Sequence, residues 1–361
     1  MTSHSALSTA SRLDNSFWSG RSVFLTGHTG FKGAWATLLL GHLGARVTGY
    51  ALPPQSDADL FNVARAAQDL SHVIGDVRDF TSLVDAMKTA SPEIVVHMAA
   101  QSLVRQSYDE PVETYAINVM GTVHVLEAAR QIPSIRAVVV VTSDKCYENR
   151  EWEWGYREAD TLGGYDPYSN SKGCAELVTA CYRRSFFSQG AKIATARAGN
   201  VIGGGDWSTD RLVPDAMRAF IDRKALRVRN PRSVRPWQFV LEPVTAYLML
   251  AQRLAAAAGD YADAWNFGPG TSSEVSVGEV VESLVKRWGA GASWAADAGH
   301  HVHEASYLKL DCSKANSRLG WFPRTGFDDA INMSVDWYKA YHNGTNMREF
   351  TLNQIIDFLQ K

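Results

Sequence analysis

The chain has 361 residues, 45% of them apolar and 20% charged, with a formal net charge of -2. That length supports one large or two moderate domains with a full core. With 36 Lys and Arg against 38 Asp and Glu, no basic surplus points to nucleic acid, and no apolar run reaches membrane-spanning length, so neither partner is expected.

The opening MTSHSALSTASRLDNS is polar and rich in Ser and Thr, without the apolar core of a secretory leader, and residues 1–19 read as a loose tail. From Arg21 short β-branched runs alternate with helical patterns, the signature of parallel βαβ units. Strands are predicted over Ser22–Thr26, Arg46–Tyr50, His72–Ile74, Ile94–Met98, Ala137–Thr142 and Lys192–Arg197. The run AVVVVT is apolar at nearly every position, which implies a sheet covered on both faces.

The first strand runs directly into Thr26-Gly27-His28-Thr29-Gly30-Phe31-Lys32-Gly33, which opens a helix through WATLLLGHL. Gly27, Gly30 and Gly33 allow a tight turn, close approach to a pyrophosphate and helix-on-strand packing, while the helix N-terminus attracts the anion. This octapeptide predicts a dinucleotide site with contacts from Gly27, Thr29, Gly30, Phe31, Lys32 and Gly33. The second strand ends in Tyr50 and Ala51, where an NAD site usually carries an acid for the adenosine ribose. NAD is expected, but NADP stays open, because His28 and Lys32 could attract a 2′-phosphate. After the third strand, Asp76-Val77 is placed for the adenine edge, with helix capping as the alternative for Asp76. Ala99 and Gln101 in HMAAQS, and Asn118 ahead of the helical stripe Gly121–Gln131, fall near the cofactor and serve either to order it or to brace the fold.

Ser143-Asp144-Lys145 stands at the end of the fifth strand, where open α/β sheets place ligands. Tyr168 and Lys172, four apart, follow Asp166 at an N-cap and Pro167 at the first helical position, so they share one helix face. A free tyrosine titrates near about 10. Here Lys172 and the helix N-terminus are expected to bring Tyr168 towards about 7 and make it a base. After Arg197 the alternation fails and Gly, Asp, Arg and Pro become frequent. Residues 20–197, with a return at about 237–266, therefore read as a dinucleotide-binding domain of α/β class with a doubly wound parallel sheet, and 198–361 mainly as a smaller substrate lobe. Cys146, Cys174, Cys181 and Cys312 match no metal spacing and read as buried reduced thiols of a cytoplasmic protein. His300, His301 and His303 cluster, yet neighbouring rings diverge in an extended segment and no metal is expected.

With TGHTGFKG, GDVRD, HMAAQS, TSDKCY and YSNSK in this order, the chain resembles the extended short-chain dehydrogenase/reductase superfamily from about Gly20 to its end. AGNVIGGGDWSTDRLVPD, NPRSVRPWQFVLEP and LGWFPRTGFDDAINMSVDWY resemble its CDP-glucose 4,6-dehydratase branch in particular. The resemblance implies a Rossmann-type NAD domain, a smaller lobe for a nucleotide sugar, and a homodimer formed through helices of the larger domain. It also implies oxidation at sugar C4, loss of water across C5 and C6, and return of hydride to C6.

In that scheme Tyr168 takes the 4-hydroxyl proton, Ser143 hydrogen-bonds the same oxygen and Lys172 holds the nicotinamide ribose. Asp144 is assigned as acid and Lys145 as base, the two diverging along a strand to reach different carbons. Asn200 and Arg235 are expected on the diphosphate, with Asp206 and Arg211 as weaker substrate contacts. Trp207 and Trp237 either stack on the base or fill the lobe. The branch carries His after RPWQ where this chain has Phe239, so a different nucleotide or sugar is expected if that position touches substrate. Two rivals share the motifs, a nucleotide-sugar 4-epimerase or reductase and a binding protein without catalysis. Asp144-Lys145 speaks against the first, and intact Ser143, Tyr168 and Lys172 against the second.

Overall fold

The computed structural model describes residues 13–256, 261–297, 299 and 307–361. Six strands, β1 (Ser22–Thr26), β2 (Arg46–Ala51), β3 (Leu70–Ile74), β4 (Ile94–His97), β5 (Ala137–Val141) and β6 (Lys192–Ala198), lie within two residues of their sequence-predicted limits. With β10 (Ala264–Phe267) they form one parallel sheet in the order β10-β6-β5-β4-β1-β2-β3. Reversal of strand order beside β1 is the doubly wound arrangement, with its binding crevice at the switch point.

Alternation along each strand sends side chains to two separate cores. Val23, Leu25, Val139 and Val141 pack with α1 (Phe31–His42) and α6 (Leu241–Ala256), whereas Phe24, Val138 and Val140 pack with α2 (Phe80–Ala90) and α3 (Gly121–Arg130). Every residue of β5 is buried, as a doubly covered strand requires. Helix α4 (Pro167–Ser185) starts as its sequence suggests: Asp166 caps it by accepting from the Ser169 amide at 2.9 Å, and Pro167 occupies the first turn.

The remaining elements build the smaller lobe. β7 (Asn200–Ile202), β9 (Val234–Phe239) and β11 (Glu274–Ser276) make a three-stranded sheet, and β8 (Ala225–Val228) pairs with β12 (Ser293–Ala296). They are packed by α5 (Leu212–Ile221), α7 (Val277–Trp288), α8 (Phe327–His342) and α9 (Met347–Gln360).

Two expectations need correction. Residues 14–19 are not part of a loose tail, because Asn15–Trp18 is helical and Trp18 is fully buried with its indole N–H donating to Gln252 at 3.1 Å. The four cysteines are free, but of the four only Cys146 is buried; Cys174 and Cys312 are half-buried and Cys181 is exposed. Among the described residues no helix is long and apolar enough to cross a membrane, and no group of metal-ligating side chains converges. His300, His301 and His303 lie outside the described residues.

Candidate active site

A cleft of about 910 Å³ runs across the C-terminal ends of β1 to β6 and under the smaller lobe. Its floor is the glycine loop. Gly27 has φ +76°, and a Cβ there would stand 2.6 Å from the Ala99 amide nitrogen; at Gly33 it would stand 2.0 Å from the Gly27 carbonyl oxygen. The chain can pass this closely only without side chains. Thr29 ties the loop to the end of β2 by donating to the Leu52 carbonyl at 2.8 Å. Gly27, Thr29, Gly30, Phe31, Lys32, Gly33 and Ala99 all face the cleft.

At the far end Asp76 and Val77 line the cleft beside Ala51 and Leu52. The Asp76 carboxylate is gripped by the Arg78 guanidinium, which holds it below the usual carboxylate range, while its carbonyl accepts from Tyr50 at 3.1 Å. His28 is not there. Its ring crosses beneath Gly49 to meet His72 at 2.6 Å, and burial, then the charge of His72, push it down to about 3. A neutral ring turned into the core attracts no phosphate. Of the two roles left open for Gln101 and Asn118, their hydrogen bonds fit the bracing one. Asn118 accepts from the Gln101 amide and donates to its carbonyl, both at 2.9 Å, and also donates to Ser171 at 2.9 Å. The pair braces the loop after β4 against α4, and neither residue is among those lining the cleft.

At the centre of the cleft Ser143 ends β5 and caps the short turn Asp144–Cys146. Because that segment turns, Asp144 and Lys145 do not diverge: Lys145 Nζ lies 3.2 Å from Asp144 Oδ1 and 3.4 Å from Asn200 Oδ1. Ser143 Oγ donates to Asp144 Oδ1 at 3.0 Å. Asp144 is 1% exposed, and its second oxygen is buried with no hydrogen-bond partner among the described residues. Tyr168 and Lys172 line the same wall one turn apart on α4. Burial pushes the Tyr168 phenol up to about 12, with a Ser143 hydrogen bond and the Arg211 charge pulling it down. Four-residue spacing from a lysine therefore does not by itself bring the phenol to about 7. Burial likewise pushes Lys172 down to about 8, opposed by Glu176.

Beneath this wall lies a network that the sequence reading missed. Glu176, one turn beyond Lys172, accepts from Arg197 at 2.7 Å, Thr142 at 2.5 Å and Thr195 at 2.7 Å. Arg197 continues to the Tyr147 hydroxyl at 2.5 Å, and Tyr147 to Asn266 at 2.7 Å. Both ions are about 3% exposed, so each depends on the other. The available signal was a charged residue at the end of the apolar strand KIATARA, joined to a second charge four residues after Lys172.

From the smaller lobe Asn200, Asp206, Trp207, Arg211, Arg235 and Trp237 all border the cleft. Asp206 is committed elsewhere, since its carboxylate accepts from Arg211 at 2.9 Å and from the Ser208 amide at 3.1 Å. Arg211 then crosses to the larger domain and donates to Ser102 at 2.7 Å. Arg235 is buried and donates to the Val234 carbonyl at 3.0 Å. Trp207 packs on Tyr338 and Tyr341, and Trp237 donates to the Val275 carbonyl at 3.2 Å. Phe239 does not line the cleft; it is fully buried against Trp35 and Phe358.

The profile of the family described as GDP-mannose 4,6 dehydratase matches residues 24–334. A CDP-glucose 4,6-dehydratase of Salmonella typhimurium is 51% identical over 353 residues, 96% of this chain and 98% of that protein. A dTDP-glucose 4,6-dehydratase of Streptomyces antibioticus is 29% identical over 75% of this chain and 76% of that protein. Among solved structures, a double mutant of the dTDP-glucose 4,6-dehydratase DesIV of Streptomyces venezuelae, with NAD and DAU bound, has a TM-score of 0.77 at 22% identity, covering 90% of this chain and 99% of its own. A UDP-glucose 4-epimerase of Brucella ovis in complex with NAD scores 0.76 at 24% identity, covering 88% and 98%. These structures share the fold. With the family profile spanning most of its length and a near-full-length relative at 51% identity, the chain belongs to the GDP-mannose 4,6 dehydratase family, within the extended short-chain dehydrogenase/reductases.

Proposed function

We propose that the chain is an NAD-dependent CDP-glucose 4,6-dehydratase that forms CDP-4-keto-6-deoxyglucose and water. The observation that carries this reading is the buried Asp144, with one unpartnered oxygen, set between Ser143 and Lys145 on the wall that holds Tyr168. A 4-epimerase or reductase requires no second acid and base beside the serine.

The residues present fit a dinucleotide. The glycine loop offers a cradle that a Cβ at Gly27 or Gly33 would fill, and α1 begins there with its amides towards the cleft. NAD is favoured over NADP, because Asp59 and Asp76 line the adenosine end while His28 is turned away from it. When bound, NAD would supply a hydride acceptor that carries one positive charge.

Tyr168, once ionised to the phenolate that the nearby positive charge of Arg211 favours, would take the proton of the sugar 4-hydroxyl, with Ser143 donating a hydrogen bond to the same oxygen. Arg211 and Lys172 provide fixed positive charge on the protein side. The C5 proton is removed by Lys145 while Asp144 protonates the departing 6-hydroxyl. Transfer of one proton inside the 3.2 Å ion pair creates the reactive neutral pair without changing its proton count. Asn200 orients Lys145, and Arg235, which lines the cleft, is the guanidinium that would take the diphosphate.

A homodimer is part of the same proposal. Val112, Met120 and Leu177 are 82%, 48% and 59% exposed on two helical segments that Tyr115 and Asn170 join by a 2.9 Å hydrogen bond. Apolar side chains along one helical pair suit a second copy. Four free cysteines suit a reducing cytoplasm.

Mass spectrometry of the product after incubation with CDP-glucose, with UDP-, GDP- and dTDP-glucose in parallel, tests the reading. A product lighter by one water from CDP-glucose is expected. Turnover of only another nucleotide sugar, or an isomer of unchanged mass, would overturn it.

A further inference from the structure

Lys32 is the second residue of α1, and the glycine loop alone suggests a place for it near the cofactor phosphates. Its side chain lines the cleft and reaches further. The ammonium nitrogen stands 5.8 Å from the centre of the Tyr247 ring on α6. Tyr247 is buried and close enough to Tyr168 and Asp144 to feel both charges. Lys32 in turn feels Lys172 most strongly of the surrounding charges, then Arg211, Asp144 and Lys145. These neighbours place it at the hydride-transfer end of the cleft. Asp144, the acid whose charge acts on Lys32, is already paired with Lys145 at 3.2 Å, so a protonated Lys32 is only partly offset there. Burial, with Lys172 and Arg211, pushes the ammonium down to about 7, as crowding among cations requires.

We propose that Lys32 is a charge-tuning residue whose ammonium favours the reduced over the oxidised nicotinamide and so promotes oxidation at sugar C4. The inference rests on the NAD-dependent reading of the site. An oxidised nicotinamide ring carries one positive charge and a reduced ring carries none, so a protonated Lys32 beside it destabilises only the oxidised form, an effect that is full below about pH 7 and fades above it. In the oxidation the C4–H electron pair leaves as hydride to the ring, and the hydroxyl proton goes to Tyr168. Lys32 shifts that equilibrium without exchanging a proton or a bond with the sugar.

The test compares the full chain with its Lys32→Met and Lys32→Arg variants, each titrated calorimetrically with NAD+ and, separately, with NADH. One unit charge at this range in a partly buried site should lower the ratio of the NAD+ to the NADH dissociation constant by about tenfold in Lys32→Met, and Lys32→Arg should keep it near that of the parent. An equal loss of affinity for both forms in Lys32→Met would make Lys32 a plain phosphate ligand and overturn the inference, as would an unchanged ratio. Failure of the parent chain to bind either form would overturn the NAD reading itself.

Discussion

Lys145 Nζ and Asp144 Oδ1 stand 3.2 Å apart inside one tight turn, and the opposite carboxylate oxygen of Asp144 is buried without a hydrogen-bond partner among the described residues. The acid and base proposed for the elimination therefore stand within hydrogen-bond reach of each other. Lys145→Met should leave C4 oxidation measurable as a transient reduced nicotinamide, while product formation falls by about 10²-fold or more. Deuterium uptake at C5 from heavy water should stop. Undiminished uptake would remove Lys145 from the role of base.

Tyr168 is pushed up to about 12 by burial, against a hydrogen bond from Ser143 and the charge of Arg211. Tyr168→Phe should reduce C4 oxidation by about 10²- to 10⁴-fold. Substrate affinity should change little, because the phenol acts on the reacting oxygen. Retention of water loss at the parental rate in this variant is the result that contradicts the mechanism.

The Glu176–Arg197 pair supports α4 from beneath, so its loss is a matter of folding before chemistry. Glu176→Gln leaves the buried guanidinium without a counter-charge and should cost about 3–5 kcal/mol of stability. Urea denaturation measures it. A shift of a few tenths of a kcal/mol would mean that water or another group compensates Arg197.

His28 and His97 are both buried and both pushed down to about 3, His28 by burial and His72, His97 by burial and Lys172. Between the unfolded value near 6.5 and the folded value near 3 the unfolded chain binds more protons, so stability is complete above about 6.5 and falls as the pH is lowered. The slope should approach about 1.4 kcal/mol per pH unit for each ring. Replacing His28 by Gln should remove its share of the slope; an identical pH profile would show that the ring takes up its proton equally in the folded and unfolded states.

Gly33→Ala tests the cradle. Its new Cβ would stand 2.0 Å from the Gly27 carbonyl, which is backbone and must move. NAD affinity is expected to fall by at least about tenfold, equivalent to about 1.4 kcal/mol, with the secondary structure retained. Parental affinity by calorimetry would show that the loop does not carry the diphosphate.

Much of the larger domain was legible because its signals are local. AVVVVT must be a strand buried on both faces, and Asp166-Pro167 must start a helix, whatever surrounds them. The glycine spacing of TGHTGFKG reports a backbone that crosses itself closely, which Gly27 and Gly33 bear out. Side-chain direction in the same octapeptide was not legible. His28 turns to His72 and Lys32 reaches the Tyr247 ring, whereas the sequence left open that either could attract a 2′-phosphate.

From its residues alone the chain determines a doubly wound α/β sheet, the cradle at the end of its first strand, and the set of groups gathered at the fifth strand and α4, since periodicity, capping and glycine geometry act over a few residues. Tertiary structure alone decided that Asp144 and Lys145 pair, that Gln101 and Asn118 brace each other, that Asp206 serves Arg211, and that Glu176 needs Arg197. Those outcomes depend on how chain segments pack, across 17 residues for Gln101 and Asn118 and 21 for Glu176 and Arg197, and through the turns that bring Asp144 to Lys145 and Asp206 to Arg211. They depend equally on desolvation, which penalises any buried group left unpaired. Neither condition is written in any local stretch of sequence.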